Sequence, residues 1–311
     1  MHTVIIQSEP ENTPLSVYAQ RLDVVVKYIE SNLDKIMTTS ELSDIAFFSR
    51  YHFHRIFVAH LGISAGKFIK LLKFKQASYQ LAFRHEMSLL DIAFDCGYEN
   101  ASSLSREFKK VLGLTPSAFR KAPDWVLWQQ IVDPLLMPVS SSLNNQRDKN
   151  MQPSNYTQTV NIIDFPETKV AALEHKGAPN RVMETVGKFI QWRKENGPSP
   201  QSSDTYNILY DDPENVPPED YRFDICASIQ SAVKPNNYSV IEKIIPSGRC
   251  AVLRHIGSDS GLGQSINYLY SQWLEQKGES LRNYPCFIKR VTFYPDVPEH
   301  QMIIDIYMPI K

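Results

Sequence analysis

Residues 44–119 carry one motif twice, and this internal repeat constrains the fold more than any other feature of the sequence. Asp44-Ile45-Ala46 recurs 47 residues later as Asp91-Ile92-Ala93, whereas the later segments recur at an offset of 51 residues, so the second copy has four extra residues in its turn. Each copy has the order of a helix-turn-helix unit, because a short apolar helix and a turn precede a polar helix that begins at a capping residue. Two such units can place two helices in successive major grooves of one DNA duplex, which favours DNA as the partner. The later segments are Arg55-Ile56-Phe57, Leu61-Gly62, Ser64 and Phe68, which recur as Arg106-Glu107-Phe108, Leu112-Gly113, Thr115 and Phe119.

The polar helix of each unit offers side chains of the kind that a DNA groove accepts. Arg55 and Arg106 occupy equivalent positions, and each can bind the O6 and N7 atoms of guanine, or a phosphate, with two hydrogen bonds. The small hydroxyl side chains of the second unit allow close approach, and Ala101 can contact a thymine methyl group. The predicted DNA-binding residues are Arg50, Tyr51, His54 and Arg55 in the first unit, and Ala101, Ser102, Ser103, Ser105 and Arg106 in the second.

Further helices are predicted around the two units. The apolar periodicity indicates helices over Leu15–Asn32 and Ala65–Phe83, and the second of these would be a spacer of roughly 28 Å between the units. Thr38 and Glu41 have the spacing of a capping box. The predicted N-caps of the polar helices are Ser49 and Asn100.

A second internal repeat lies in the C-terminal half. Val170–Gly177 matches Cys250–Gly257 at an offset of 80 residues, and each copy has the order strand, helix, strand, strand. This order predicts an α+β domain with a two-fold related pair of sheets, and a cleft at their axis is a common place for a small-molecule site. The predicted strands are Tyr156–Phe165, Lys169–His175, Thr205–Tyr210, Phe223–Ile229, Ser239–Ile245, Cys250–His255, Phe287–Tyr294 and Met302–Met308, and the predicted helices are Arg181–Glu195 and Leu262–Gln276.

The composition changes between the two repeats, where proline, serine and asparagine accumulate from Pro134 to Pro153. We therefore expect an all-α domain over residues 15–121, a linker over 122–154 and an α+β domain over 155–311. Residues 14–121 contain 15 Lys and Arg against 10 Asp and Glu, whereas residues 152–311 contain 16 against 19. A basic half beside an acidic half is consistent with an anionic polymer that binds at one end of the chain.

Several classes of function are disfavoured by the sequence. The four cysteines are widely spaced, which favours reduced and buried thiols, and no apolar run approaches the ~20 residues of a membrane span, so we expect a cytoplasmic protein without membrane contact. The glycine-rich segment Gly257–Gly263 lacks the lysine of a phosphate-binding loop. The histidines do not have metal-ligand spacing, and we expect His175 and His255 to form hydrogen bonds at strand ends. No catalytic residue, metal or cofactor is therefore predicted.

Residues 15–121 resemble the AraC/XylS-type DNA-binding domain. The second unit carries the signature of that family almost completely, and Ala65 and Lys73 depart from it where proline and arginine are frequent. The resemblance implies that each polar helix of the repeat contacts one major groove. The matching residues are Asp91-Ile92-Ala93, Gly97-Tyr98, Ser105-Arg106, Phe108-Lys109-Lys110, Gly113, Thr115-Pro116 and Phe119-Arg120.

Residues 155–311 resemble the GyrI-like effector-binding domain through Glu174–Gly177, Tyr221–Cys226 and Asp305–Pro309. The resemblance implies a site for drug-like, often cationic molecules between aromatic walls and a buried glutamate. In the strand where that glutamate is expected, this sequence has Phe287-Ile288-Lys289-Arg290, so a neutral or anionic ligand is favoured. The candidate aromatic walls are Trp192, Tyr206, Phe223, Trp273 and Phe293.

Together these patterns predict a one-component transcription regulator that binds two successive major grooves and senses a small-molecule effector through its C-terminal domain, with RNA polymerase as a further partner to test. Two alternatives stay open. One is a GyrI-like hydrolase fused to a DNA-binding domain, and the other is a ligand-free module that binds only other proteins.

Overall fold

The computed structural model describes residues 14–136, 159–213 and 216–311 of the chain. Contacts divide these residues into two compact units: the first contains the described residues up to Lys73 with 135–136, and the second contains Phe74–Pro134 with the described residues from 159 onward. Of the predicted linker 122–154, residues 125–136 are helical, so a helix continues through Pro134, and residues 137–154 lie outside the described part.

The first unit is helical, with α1 (Pro14–Ser31), α2 (Thr39–Ile45), α3 (Arg50–Leu61) and the beginning of α4 (Ala65–Phe83). The predicted helix boundaries are confirmed within one residue for α1, and both ends of α4 are as predicted. The predicted capping box is only half formed, because Thr38 Oγ1 accepts a hydrogen bond from the Glu41 N–H whereas the Glu41 carboxylate accepts one from the Tyr28 hydroxyl.

The second helix-turn-helix belongs to the second unit and comprises α5 (Leu89–Asp95) and α6 (Ala101–Leu112), followed by α7 (Pro116–Lys121) and α8 (residues 125–136). A complete capping box begins α5, with Ser88 and Asp91 as the reciprocal partners. The core of this helical part is aromatic, since the Phe108 ring lies 4.6 Å from Phe74 and 5.6 Å from Phe119. This packing fixes α6 against α4 and α7.

The remainder of the second unit is one eight-stranded antiparallel sheet. Its strand order is β1-β6-β8-β7-β3-β4-β2-β5, so the two copies of the repeat share one continuous sheet. The predicted α+β class is confirmed, whereas the predicted pair of sheets is wrong. The duplicated order strand, helix, strand, strand is confirmed. The strands are β1 (Asn161–Phe165), β2 (Thr168–Lys176), β3 (Thr205–Leu209), β4 (Arg222–Ser228), β5 (Ile241–Ile245), β6 (Gly248–Ile256), β7 (Cys286–Arg290) and β8 (Ile303–Pro309).

One helix from each copy covers the sheet. The first is α9 (Val182–Asn196), and the second consists of α10 (Leu262–Tyr268), a π-helical turn (Leu269–Trp273) and α11 (Leu274–Lys277). Strand β7 is shorter than predicted, because it ends at Arg290 and residues 291–302 form an irregular connection to β8.

The sheet is strongly curled, as a distance between β1 and β3 shows. These strands are four places apart, which would separate their side chains by roughly 19 Å in a flat sheet with about 4.8 Å between neighbours. The ring centroids of Phe165 on β1 and Tyr206 on β3 are nevertheless only 6.2 Å apart. The face that carries these rings is therefore the concave face.

Candidate nucleic-acid interface and effector face

Helix α3 exposes the middle of its predicted DNA-binding surface. His54 and Arg55 are exposed, while Phe53 and Phe57 are fully buried on the other side of the helix. The left-handed conformation of Gly62, with φ of 75°, ends the helix as its C-cap. The side chains of Arg50 and Tyr51, also predicted to bind DNA, lie outside the described residues.

Asn100 is the N-cap of helix α6, and its Oδ1 accepts a hydrogen bond from the Ser103 N–H at 2.9 Å. The hydroxyl of Ser105 donates to the Ala101 carbonyl at 2.8 Å, so this serine is bound to its own helix. Ser102 and Arg106 are exposed, and the Arg106 Nη2 atom lies 3.3 Å from Ser103 Oγ. Of the five predicted residues on α6, these two present the most accessible polar groups.

Two residues of α6 were not among the sequence-based candidates. Lys109 and Lys110 are both exposed in the last turn of the helix. Spacings of three and four residues place them on the same side of α6 as Arg106 and Ser102. Their positive charge suits phosphate contacts, and their position within the family signature was the available signal.

The concave face of the sheet carries a central aromatic cluster, which consists of Phe165, Tyr206, Phe287 and Tyr307. The rings of Phe287 and Tyr307 are stacked, with centroids 4.9 Å apart and planes inclined by 6°. Phe165 meets the edge of the Phe287 ring at 5.0 Å. All four side chains are buried, because the curled sheet encloses them.

Three groups of charged residues lie on the same face as the central aromatic cluster, as the alternation of side chains along the strands requires. The first joins the strands β5, β2 and β4, since Lys243 Nζ lies 2.6 Å from Glu174 on β2 and 2.6 Å from Asp224 on β4. The second joins Lys289 Nζ to Asp204 at 2.8 Å, and the third is a two-bond pair from Arg254 to Asp305 at 2.7 and 2.9 Å. Each of these four carboxylates lies beside a cationic side chain, but Asp224 and Glu174 share Lys243, so three cations face four carboxylates.

Hydrogen bonds and burial keep the tyrosines of this face protonated. The Tyr210 hydroxyl donates to Asp224 at 2.9 Å, and burial together with the Asp224 charge raises the pKa of Tyr210 to about 12. Burial and the charge of Asp305 likewise raise the pKa of Tyr307 to about 12. Burial lowers the pKa of Lys243, but its hydrogen bonds to Asp224 and Glu174 outweigh this effect and the net pKa is raised. At neutral pH the face thus contains neutral phenols, the ion pairs Lys289–Asp204 and Arg254–Asp305, and Lys243 shared between Asp224 and Glu174.

The predicted aromatic walls do not come together as one surface. Tyr206 belongs to the central aromatic cluster, whereas Trp192 of α9 packs with Phe189 of the same helix in a separate core, and Phe223 lies against that core. Trp273 belongs to the core beneath the second helix, on the convex side of the sheet, and Phe293 is half-buried in the β7–β8 connection. Phe165, Phe287 and Tyr307 were missed, because strand periodicity does not reveal which face of a sheet buried on both sides is concave.

The two equivalent histidines have the structural role that was predicted for them. Thr185 Oγ1 lies 2.8 Å from His175 Nδ1, and Ser265 Oγ lies 2.9 Å from His255 Nδ1. The Nε2 atoms face the carbonyls of Gly177 and Ser258, so Nε2 carries the proton and Nδ1 accepts from the hydroxyl. Each histidine therefore ties a strand end to the helix that follows.

The described residues also bear on metal binding and on membrane spans. These residues contain no group of three or more His, Cys, Asp or Glu side chains that could hold a metal ion. None of the helices in the described ranges is long and apolar enough to cross a membrane.

Comparison with known proteins identifies both halves of the chain. Residues 42–122 match a family described as a helix-turn-helix domain, and residues 158–311 match the GyrI-like small molecule binding domain. A probable transcriptional regulator of Escherichia coli (strain K12), YgiV, is 37% identical over 158 residues, which cover 50% of this chain and 99% of YgiV. The uncharacterized HTH-type transcriptional regulator YbfP of Bacillus subtilis (strain 168) is 29% identical over 103 residues, which cover 33% of this chain and 35% of YbfP. The crystal structure of the EcmrR C-terminal domain has a TM-score of 0.42 at 14% identity, covering 49% of this chain and 97% of that domain.

A duplicated helix-turn-helix followed by a duplicated α+β domain defines the class: a DNA-binding regulator with a domain of the small-molecule-binding family. The chain belongs to the AraC-type transcription regulators that carry a C-terminal GyrI-like domain. Its function is sequence-specific DNA binding in the control of transcription.

Proposed function

We propose that this regulator senses an uncharged or anionic small molecule that binds on the concave face, against the central aromatic cluster. The observation that carries the proposal is the enclosed stack of Phe287 on Tyr307, with Phe165 and Tyr206 around it. Aromatic walls bury a large apolar area of a flat ligand, and neutral tyrosine hydroxyls supply a few oriented hydrogen bonds. This combination suits a planar, apolar ligand with one or two polar groups.

The preference for charge follows from the ion pairs around the cluster. A lipophilic cation is held best by a carboxylate that lacks another partner, since a desolvated charge without a counter-ion is costly. Asp204, Asp224 and Asp305 already have cationic partners, so a cationic ligand would have to compete with Lys289, Lys243 and Arg254. Glu174 shares Lys243 with Asp224, but its side chain is 60% exposed, so its charge stays solvated. The rings still offer a cation–π attraction of ~0.5–2 kcal/mol, which would have to offset the displacement of Lys243 or Arg254 from the largely buried carboxylates of Asp224 and Asp305.

Calorimetry on the full chain tests this proposal with a panel of aromatic compounds that have equal ring systems and differ only in charge. We expect the neutral and anionic members to bind at least as tightly as the cationic member. The variant Lys289→Ala leaves Asp204 without its cation, so it should shift the preference towards the cation by about tenfold, or ~1.4 kcal/mol. Lys188→Ala, on the exposed side of α9, is the matched control.

Three results would change the assignment. Cations that bind the wild type tenfold more tightly than their neutral analogues would overturn the proposed ligand class. Binding by no member of the panel, with DNA binding intact, would favour the ligand-free interaction module. Ester or amide cleavage of a panel compound, lost on mutation of the face, would favour the hydrolase alternative.

We further propose that DNA binding uses His54 and Arg55 on α3, and Ser102, Arg106, Lys109 and Lys110 on α6. Their exposure on the two polar helices supports this set. The protein would act in the cytoplasm, where it meets promoter DNA, and RNA polymerase is a partner that a pull-down on promoter fragments would test.

A further inference from the structure

The β7–β8 connection (residues 291–302) packs against helix α4 within the second unit. Lys75 of α4 forms an ion pair with Glu299, and its Nζ atom lies 5.6 Å above the Tyr294 ring. Arg84, one residue beyond the end of α4, forms a second ion pair with Asp296. The connection is therefore held by two charge pairs about 9 residues apart along the helical segment, with an aromatic contact beside the first.

The Lys75–Glu299 pair is largely shielded from water, since the two side chains are only 17% and 25% exposed. Burial lowers the pKa of Lys75, but the charge of Glu299 and the hydrogen bond to it raise the pKa by more. The net pKa of Lys75 therefore lies above the ordinary value. Breaking such a pair by removal of one partner leaves an uncompensated charge in a poorly solvated place. The buried pair therefore favours the arrangement in which the connection stays against α4.

A series of aromatic contacts runs from this connection to helix α6. The Tyr294 ring lies 5.0 Å from Tyr79 on α4, and Tyr79 lies 5.0 Å from Trp125 on α8. Trp125 contacts Phe119 at 5.5 Å, and Phe119 contacts Phe108 of α6 at 5.6 Å. Phe108 is the buried anchor of the helix that carries Ser102 and Arg106 on its outer side.

At its other end the connection continues directly into the concave face. The strands that it joins supply Phe287 and Tyr307, which are the stacked pair of the central aromatic cluster. The same strands supply Lys289 and Asp305, which belong to the charged groups around that cluster. A change in the separation or tilt of β7 and β8 must therefore move the ends of the connection, because closely packed elements transmit displacement.

We infer that the β7–β8 connection is the coupling element through which the concave face and the second DNA-binding helix α6 influence each other. This inference rests on the proposed function, which places the effector at the central aromatic cluster. Coupling between two sites is reciprocal, so DNA bound at α6 must change the affinity of the concave face for its ligand by the same factor by which the ligand changes the affinity for DNA. DNA can thus be used as the probe.

The test is hydrogen exchange of the full chain with and without a duplex that the protein itself has selected from a random library. In the wild type, the duplex should slow amide exchange in β7 and β8 by about fivefold or more, because DNA bound at α6 would stabilise the arrangement of these strands to which it is coupled. The double variant Lys75→Met/Glu299→Gln removes both charges of the buried pair and should bring this factor to within about twofold of unity. Asp296→Ala, which breaks only the exposed pair, should give an intermediate value, and Arg181→Ala, which removes an unrelated ion pair on α9, should match the wild type.

Equal protection of β7 and β8 in the wild type and the double variant would overturn the inference. So would protection of α6 by the duplex with no change in β7 and β8 of the wild type. If β7 and β8 respond to DNA but no compound of the panel binds, the coupling stands and the effector proposal fails. Asp296→Ala keeps the test decisive if the double variant does not fold, because its ion pair lies at the surface.

Discussion

Asn100 caps α6 through its side chain, whose Oδ1 lies 2.9 Å from the backbone nitrogen of Ser103. The equivalent residue of the first unit, Ser49, has the extended backbone of an N-cap but makes no side-chain cap hydrogen bond. Ser49 was predicted to cap α3 as Asn100 caps α6, and the structure supports this for the backbone alone. The two units therefore differ in how firmly their polar helices begin.

A pair of alanine variants measures this difference. Asn100→Ala should lower the free energy of unfolding by about 1 kcal/mol, because an orphaned N–H at the start of α6 loses its acceptor. Ser49→Ala should change it by much less, since no side-chain bond is lost. Urea denaturation followed by circular dichroism would show the contrast, and equal losses in the two variants would contradict it.

Both polar helices should contribute to DNA recognition. Arg55→Ala and Arg106→Ala should each reduce affinity for a specific site by about 1–3 kcal/mol and relax the preference at different base pairs. The reason is that each guanidinium can bind a guanine edge or a phosphate from an exposed position on its helix. Footprinting checks the result, and a footprint in which both substitutions weaken the same half-site would exclude separate contacts.

Asp133 of α8 should lower stability at neutral pH. Burial raises its pKa above the ordinary value of 3.8, and the charge of Lys75 only partly opposes this. A carboxyl group with a raised folded-state pKa binds its proton more tightly when folded, so its contribution to stability falls as the pH rises through that pKa. Asp133→Asn should therefore stabilise the protein at pH 7, and the gain should shrink as the pH falls towards 3.8. Urea unfolding at several pH values measures this, and a gain that is independent of pH would show that ionisation is not the cause.

The hydroxyl of Ser265 should be important for the second copy of the fold. Ser265 and His255 are both buried, so Ser265→Ala leaves the acceptor His255 Nδ1 without its donor and should cost about 1–3 kcal/mol. Ser271→Ala is a matched control in the same helical segment, because its exposed hydroxyl bonds only to the Asn267 carbonyl of its own helix. Thermal unfolding should show a clear decrease in Tm for the first variant and a small change for the second.

The helices were predictable from sequence because local signals determine them. Both ends of α4 followed from the apolar spacing of Phe68, Leu72 and Leu81, which are all buried. The hydrogen-bond partner of the Glu41 side chain was not predictable from sequence. This partner, Tyr28, lies on another helix, and its hydroxyl competes with the capping box for the Glu41 carboxylate. The identity of α6 as the polar helix likewise followed from the repeat.

The concave face could be predicted only in part. Tyr206 was identified, but Phe165 and Tyr307 were not, because their meeting depends on the curl of the sheet and on pairings between distant strands. The partners of Lys289 and Lys243, Asp204 and Asp224, are also distant in sequence. The position of Tyr79 between Trp125 and Tyr294 was not predictable from periodicity, which indicates burial but not the neighbour.

The strand order of the sheet has a consequence for how the two copies depend on each other. The first strand of each copy pairs with the second strand of the other copy, since β1 lies on β6 and β5 lies on β2. A fragment that ends before β5 would retain β1 without its neighbour and expose the edge of β2, and the complementary fragment would have the same defect. Each half thus completes the sheet of the other half. The arrangement is that of a strand-exchanged dimer whose two subunits are joined in one chain. Neither half can be lost or replaced during evolution without the other losing a strand partner.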